Sequence, residues 1–309
     1  MSQSVTESLH PAAAGLDALP GAEVLSHLLA AQLAAVDAVT SALPQIETGA
    51  AMMAETLRGS GRLVYAGAGS SALMANADGM ELPATFGMDP SRILLKMAGG
   101  IPVDARMPGN TEDDADEGTR VGANLRSGDL VIAVTASGRT PYPLALAKAA
   151  QAQGARVIAI ANNQNAPLFD HADLAICLPT PAEVIAGSTR MGAGTAQKVA
   201  LNLMSTLMGI KLGQVHDGMM VGLVADNAKL RVRAATMLRQ ITGVDAAAAE
   251  ASLVAAQGAV KPAVLIALGA SPAGAAQLLS ETEGNLRAAL ARLRTAGVAS
   301  RENTSNLGS

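Results

Sequence analysis

The sequence predicts an α/β protein: a doubly wound, five-stranded parallel sheet flanked by helices, with helices before it and a small helical bundle after it. Three observations point there. Apolar runs at residues 62–66, 92–97, 129–134, 156–161 and 174–178 lack polar alternation, as strands covered on both faces should. Helical patterns, among them residues 117–125 and 142–153, separate most of these runs, which is the signature of βαβ units. Beyond residue 189 the pattern is helical almost throughout.

Taken in order, residues 1–21 are rich in Ser, Pro and Ala and are expected to be a flexible N-terminus. Helical spacing over 23–57 suggests two helices with a break near Pro44. The first apolar run leads into Gly67-Ala68-Gly69-Ser70-Ser71 and then a short helix expected to stop before Leu82-Pro83. The remaining strands and helices complete a main domain over 22–243, with helices over 195–212 and 221–242. A smaller domain of about three helices spans 244–300, with turns at Gly258, Ser271-Pro272 and Glu283-Gly284, and residues 301–309 read as a disordered tail.

Composition narrows the function. Half of the 309 residues are hydrophobic, but there are only two Tyr, two Phe and no Trp. Stacking platforms for single-stranded nucleic acid or sugar rings are therefore nearly excluded, and a net charge of −4 also argues against nucleic acid. A ligand must be held by hydrogen bonds and local charge. Cys177 is the single cysteine, which rules out an intramolecular disulfide framework and suits a cytoplasmic protein. No signal-peptide pattern opens the chain. The longest apolar helical stretch, read as 199–212, is polar at three positions and shorter than the roughly 20 residues a membrane span needs. His10, His27, His171 and His216 are scattered without metal-ligand spacing, so no metal site is expected.

In an open parallel sheet the ligand lies beyond the carboxyl ends of the strands. Three loops there carry chemistry. The first is Gly67–Ser71; the second is Thr135-Ala136-Ser137-Gly138-Arg139-Thr140-Pro141; the third runs from Glu183 through Ser188-Thr189-Arg190. Hydroxyls, glycines and free N–H groups on two separate loops suit a phosphate monoester better than a dinucleotide. A dinucleotide site would also want an acidic residue ending the second strand, where Lys96 and Met97 stand. Ser70, Ser71, Ser137 and Thr140 are the expected phosphate ligands, with Gly69, Thr135 and Gly138 beside them. The hydroxyls at these helix starts would equally serve as N-caps, and the two roles are compatible.

GAGSS together with TASGRTP resembles the SIS (sugar isomerase) domain, which binds phosphosugars. TASGRTPY, EVIAGSTRMGAGTAQK, LNLMSTLMGIKLGQV and ADNAKL go further and resemble the N-acetylmuramic acid 6-phosphate etherase family over about residues 62–243. The likeness continues more weakly into the C-terminal helices, which look like that family's UBA-like bundle. The chain departs from the family where its first loop usually reads Gly-Ala-Gly-Thr-Ser-Gly-Arg: here Ala72-Leu73 follow Ser71, and the arginine is lost. The family's Ser-Glu-Cys-Pro-Pro is here Met80-Glu81-Leu82-Pro83-Ala84.

The resemblance implies cleavage of a D-lactyl ether at C3 of the sugar by elimination and water addition, with no metal or cofactor. It implies Glu81 and Glu112 as the catalytic pair, a phosphosugar as the small-molecule partner, and a homodimer with its site near the interface. Ring opening makes C1 an aldehyde and the C2 proton removable, so one group must take that proton and another protonate the departing oxygen. Glu81 is expected just past a helix end and desolvated by Met80 and Leu82, both of which would raise its pKa and suit a proton donor. Glu112 is crowded by Asp113, Asp114, Asp116 and Glu117, which also makes ionisation harder; the same run reads as a solvated helix start capped by Asn110 or Thr111. Arg139 and Arg190 are candidates for the lactyl carboxylate or the phosphate, and Glu183 for a sugar hydroxyl. Two other functions share the phosphate loops: a non-catalytic phosphosugar sensor, which would need no carboxylate pair, and an aldose–ketose isomerase, which would need no leaving group at C3.

Overall fold

A computed structural model describes residues 5–107, 109–225 and 227–305, with residues 296–305 described by backbone alone. All five expected strands form: β1 (Leu63–Gly67), β2 (Ile93–Met97), β3 (Leu130–Thr135), β4 (Arg156–Ala161) and β5 (Leu174–Cys177). They make one parallel sheet in the order β2-β1-β3-β4-β5. The strand order reverses at β1, so the loops after β1 and β3 are neighbours although a whole strand separates them in the chain. In such a sheet that reversal opens the crevice where ligands sit.

Register explains why the strands read as unbroken apolar runs. Val64, Leu94, Val131 and Val157 form one row across the sheet, and Tyr65, Leu95, Ile132 and Ile158 form the next, facing the opposite side. The Val64 row packs with α5 (Pro141–Ala152) through Tyr142, Leu146 and Ala150, beside which lies α4 (Ala115–Ala123). On the Tyr65 side lies α3 (Gly69–Phe86), where a Cβ on Gly79 would come within 2.8 Å of the Tyr65 and Leu95 side chains. The central strands β1, β3 and β4 are buried on both faces and have no room for polar alternation, whereas the edge strands β2 and β5 are only half-buried.

By packing, the chain divides into two compact units, Met1–Glu81 with Asp89–Met208, and Leu82–Met88 with Gly209–Ser309. The expected boundary at residue 243 falls inside the second unit. In the first, α1 (Gly21–Asp37) and α2 (Leu43–Arg58) are joined by a 3-10 segment, Ala38–Ala42, which is the break expected near Pro44. By length and composition the whole stretch Gly21–Arg58 would suffice to cross a membrane, so 199–212 is not the longest apolar helical stretch. The stretch is bipartite, however: α2 buries Ile46, Ala50, Met53 and Ala54 in the core, whereas α1 leaves Leu25, Leu29 and Leu33 more than 60% exposed. Residues 5–20 are packed rather than loose. Thr6 and Leu16 are buried, and the Val5 N–H donates to Asn163 Oδ1 at 3.1 Å. Residues 1–4 lie outside the described residues.

α3 does not stop before Pro83 but continues to Phe86. An internal proline costs about 3 kcal/mol, and burial of Leu82 and Phe86 (2% and 5% exposed) offsets it at about 1.5–3 kcal/mol each. The helix ends instead at Gly87, whose φ of +66° brings its N–H to the Pro83 carbonyl.

In the second unit the helix expected over 221–242 begins only at Ala228, as α7 (Ala228–Thr242), with the Asn227 side chain accepting from the Leu230 N–H. A two-stranded hairpin, β6 (Val215–His216) and β7 (Met219–Met220), precedes it. Four helices follow rather than about three: α8 (Ala246–Ala255), α9 (Val260–Ala267), α10 (Pro272–Glu281) and α11 (Leu286–Ser305). With α7 they share a core built on Leu238, Leu253, Val264, Leu265, Ala275 and Leu290. α11 runs past residue 300, so 301–305 are helical; the tail expected at 306–309 lies outside the described residues.

Candidate active site

The loop after β3 is fastened before any ligand arrives. Gly138 takes a left-handed φ of +70°, and a Cβ there would overlap Ala166 at 2.1 Å, so only glycine fits. The Ala136 carbonyl accepts from the Asn162 N–H and the Asn163 side chain, and the Gly138 carbonyl from the Leu168 N–H. Ser137 Oγ accepts from the Arg139 N–H at 3.1 Å, which tightens the turn. Thr140 occupies the N-cap of α5 yet makes no capping bond. Its hydroxyl instead meets the buried Thr135 hydroxyl at 2.8 Å. Pro141 and Pro143 supply no N–H to that helix start, which leaves hydroxyls and the loop backbone as the hydrogen-bonding groups it offers.

Beside it, Gly69 opens α3 with φ +53°, and Ser70 and Ser71 follow in the first turn. Glu112 reaches this loop: its Oε1 lies 3.2 Å from where a Gly69 Cβ would stand. Glu112 is held on a 3-10 turn, Asn110–Asp113, which runs into α4. The cap of α4 is Asp114, accepting from the Glu117 N–H at 2.8 Å, and not Asn110 or Thr111. Capping therefore uses one carboxylate of the acidic run and leaves Glu112 and Asp113 to face an open cavity of about 410 Å³, lined also by Gly109, Ser137, Arg139, Thr140 and Pro141. Gly109, Asp113 and Pro141 were not singled out from sequence.

Glu81 stands elsewhere. It lies inside α3, not beyond its end, and its side chain is 67% exposed, so neither premise for a desolvated carboxyl past a helix terminus holds. It follows Gly69 by twelve residues, which at 1.5 Å per residue puts it about 18 Å further along the helix axis. Within one chain Glu81 and Glu112 do not meet above the sheet edge. The neighbour of Glu81 is Lys198 of α6 (Gly192–Lys211), whose Nζ is 3.6 Å from Oε2.

One turn before Glu81, buried Asp78 accepts from Tyr65 (3.0 Å), Asn202 (2.7 Å) and Ser205 (3.0 Å), tying β1, α3 and α6 together. Burial pushes the Asp78 carboxyl above its usual range despite those donors and the nearby Lys198, and pushes the Tyr65 phenol well up. Sequence reading assigned neither Asp78 nor Lys198 a role. The available signal was their register: residues 78 and 81 on one helix, and 198, 202 and 205 on another, are each spaced to share a face.

Glu183 has a different task from the one expected. It is buried, and its two oxygens accept from the Gly192 and Ala193 N–H groups at 2.9 and 2.8 Å, capping α6. Ser188 and Arg190 sit on the loop leading to α6 and do not line the cavity; Arg190 is exposed.

Residues 108–207 match the model of the SIS domain. An N-acetylmuramic acid 6-phosphate etherase of Deinococcus radiodurans is 41% identical over 288 residues, covering 92% of this chain and 94% of that protein. One from Streptomyces avermitilis is 38% identical over 289 residues, with 93% of each covered. One of the Vibrio cholerae proteins of that name is 37% identical over 293 residues, covering 94% of this chain and 98% of its own.

Proposed function

The chain belongs to the N-acetylmuramic acid 6-phosphate etherase family, and from that premise we propose how its residues cleave the lactyl ether to yield N-acetylglucosamine 6-phosphate and D-lactate. The sugar phosphate lies between the Gly69–Ser71 start of α3 and the Thr135–Thr140 loop. Free N–H groups and hydroxyls there take its oxygens, with Arg139 adding charge. Glu112 takes the C2 proton of the ring-opened sugar. The C3–oxygen bond breaks, Glu81 protonates the departing lactate oxygen, and an unsaturated aldehyde remains. Water then adds at C3 and a proton returns to C2, so atoms balance without an oxidant or reductant.

The observation that carries this reading is Glu112 beside Gly69, in one cavity with Ser137 and Thr140. A carboxylate over the phosphate loops is what the sensor reading does not require. The relatives are etherases rather than isomerases. The separation of Glu81 from the loops supports a homodimer in which Glu81 of one subunit approaches the phosphate loops of the other. The exposed leucine stripe of α1 is a surface that a second copy would cover. The lone Cys177 supports a cytoplasmic setting.

Incubation with N-acetylmuramate 6-phosphate in deuterated water should release lactate and leave deuterium at C2. Glu112→Gln should lose both signals. Glu81→Gln should lose lactate release by a factor of about 10²–10⁴ while still exchanging the C2 proton. Exchange surviving in Glu112→Gln but lost in Glu81→Gln would reverse the two roles.

A further inference from the structure

We infer that Lys198 is the residue that reads the lactyl carboxylate, which makes it a specificity determinant for the ether being cleaved; the inference rests on the etherase reading. Among the described residues its buried Nζ finds no hydrogen-bond partner, although an ammonium carries three donors. Among the same residues its one charged neighbour within salt-bridge distance is Glu81, at 3.6 Å, too long for a hydrogen bond of useful strength. Asp78, nearby on the same helix face, is already engaged by Tyr65, Asn202 and Ser205. The result is a cation held in place by the α3–α6 seam with its donors unspent.

The chemistry of the substrate supplies the missing acceptor. A proton donor to the ether oxygen must come within about 2.6–3.2 Å of it. The lactyl carboxylate is separated from that oxygen by a single carbon. A pose in which Glu81 protonates the leaving oxygen with the lactyl group turned towards α6 brings the carboxylate within reach of an ammonium 3.6 Å from Glu81. Arg139, an alternative from sequence, lines the cavity with Glu112 and the phosphate loop instead, and Arg190 does not line it. Lys198 and Glu81 are on the same chain and the same seam, so whichever subunit supplies one supplies the other.

The ion pair itself is no obstacle to a test, because a pair with one partner so exposed contributes little to folding. Lys198→Met should lower kcat/KM for N-acetylmuramate 6-phosphate by roughly 10- to 100-fold, the range of a charge-assisted hydrogen bond. The same variant should exchange deuterium into C2 of N-acetylglucosamine 6-phosphate, which has no lactyl group, at the wild-type rate. Lys198→Arg should recover much of the loss, and an analogue with the carboxylate converted to an amide should be cleaved equally by wild type and Lys198→Met. Equal loss of ether cleavage and C2 exchange would overturn the inference, since it would mark a structural or phosphate-binding role. So would unchanged ether cleavage, or an arginine variant as impaired as the methionine one. Wild-type protein that releases no lactate would instead remove the etherase reading, and this inference with it.

Discussion

Gly69 meets two demands that no other residue satisfies together. Its left-handed φ turns the chain from β1 into α3, and its missing side chain admits the Glu112 carboxylate, whose Oε1 would be 3.2 Å from a Cβ. Gly69→Ala should therefore cost roughly 1 kcal/mol or more of stability and reduce kcat by a larger factor, because it displaces the carboxylate as well as straining the turn. The measurement is a melting curve beside a lactate-release assay; a kcat loss no larger than the stability change explains would separate Glu112 from the loop. Glu183 teaches the opposite lesson. A buried carboxylate beside a glycine-rich motif suggests substrate contact, yet both its oxygens are occupied by the N–H groups that open α6. Only hydrogen-bond partners distinguish a cap from a ligand, and these are invisible in one-dimensional spacing.

Among elements, α9 shows how the second unit is tied together. Lys261 donates to the Gly213 carbonyl (3.3 Å), the Gln214 side chain (3.0 Å) and the Gly284 carbonyl (3.0 Å), joining three segments distant in sequence. Burial pushes its ammonium down from 10.5 to about 8 in spite of these acceptors. The folded protein thus holds that proton less tightly than the unfolded chain does. The cost of burying the charge is complete below pH 8 and is relieved as pH rises towards 10.5. Relative to Lys261→Met, wild-type protein should gain thermal stability across that window, as read by paired melts. A gap that stays constant from pH 8 to 10.5 would mean that the group titrates at its ordinary value.

For the whole molecule, the decisive feature is the length of α3. It holds the Gly69–Ser71 loop at one end and Glu81 about three turns on, so on the proposed roles a single chain presents the two halves of the reaction apart. A site shared between subunits makes a sharp prediction. Glu81→Gln and Glu112→Gln proteins, each inactive, should recover about a quarter of wild-type activity when unfolded together and refolded as a random mixture, because half the dimers are mixed and each has one intact site. No recovery, with mixed dimers demonstrated by mass, would require both glutamates to act within one chain.

The five strands were legible from sequence to within about a residue; for β1, β3 and β4 the reason is that a strand covered on both faces has no alternative but an unbroken apolar run. The turns after β1 and β3 were legible because their left-handed residues, Gly69 and Gly138, must be glycine; that they bind phosphate is the proposal made above. Less was legible where long-range packing overrides local signals. Pro83 looked like a helix stop, but burial of Leu82 and Phe86 carries α3 past it. The sequence by itself determined the sheet, the two loops and the stock of reactive side chains, since each follows from a pattern a few residues long. Tertiary structure alone decided that β1 and β3 are neighbours, that Glu112 and not Glu81 sits over the loop, and that Lys198 stands beside Glu81. Those are distances between segments far apart in the chain, set by which faces pack together.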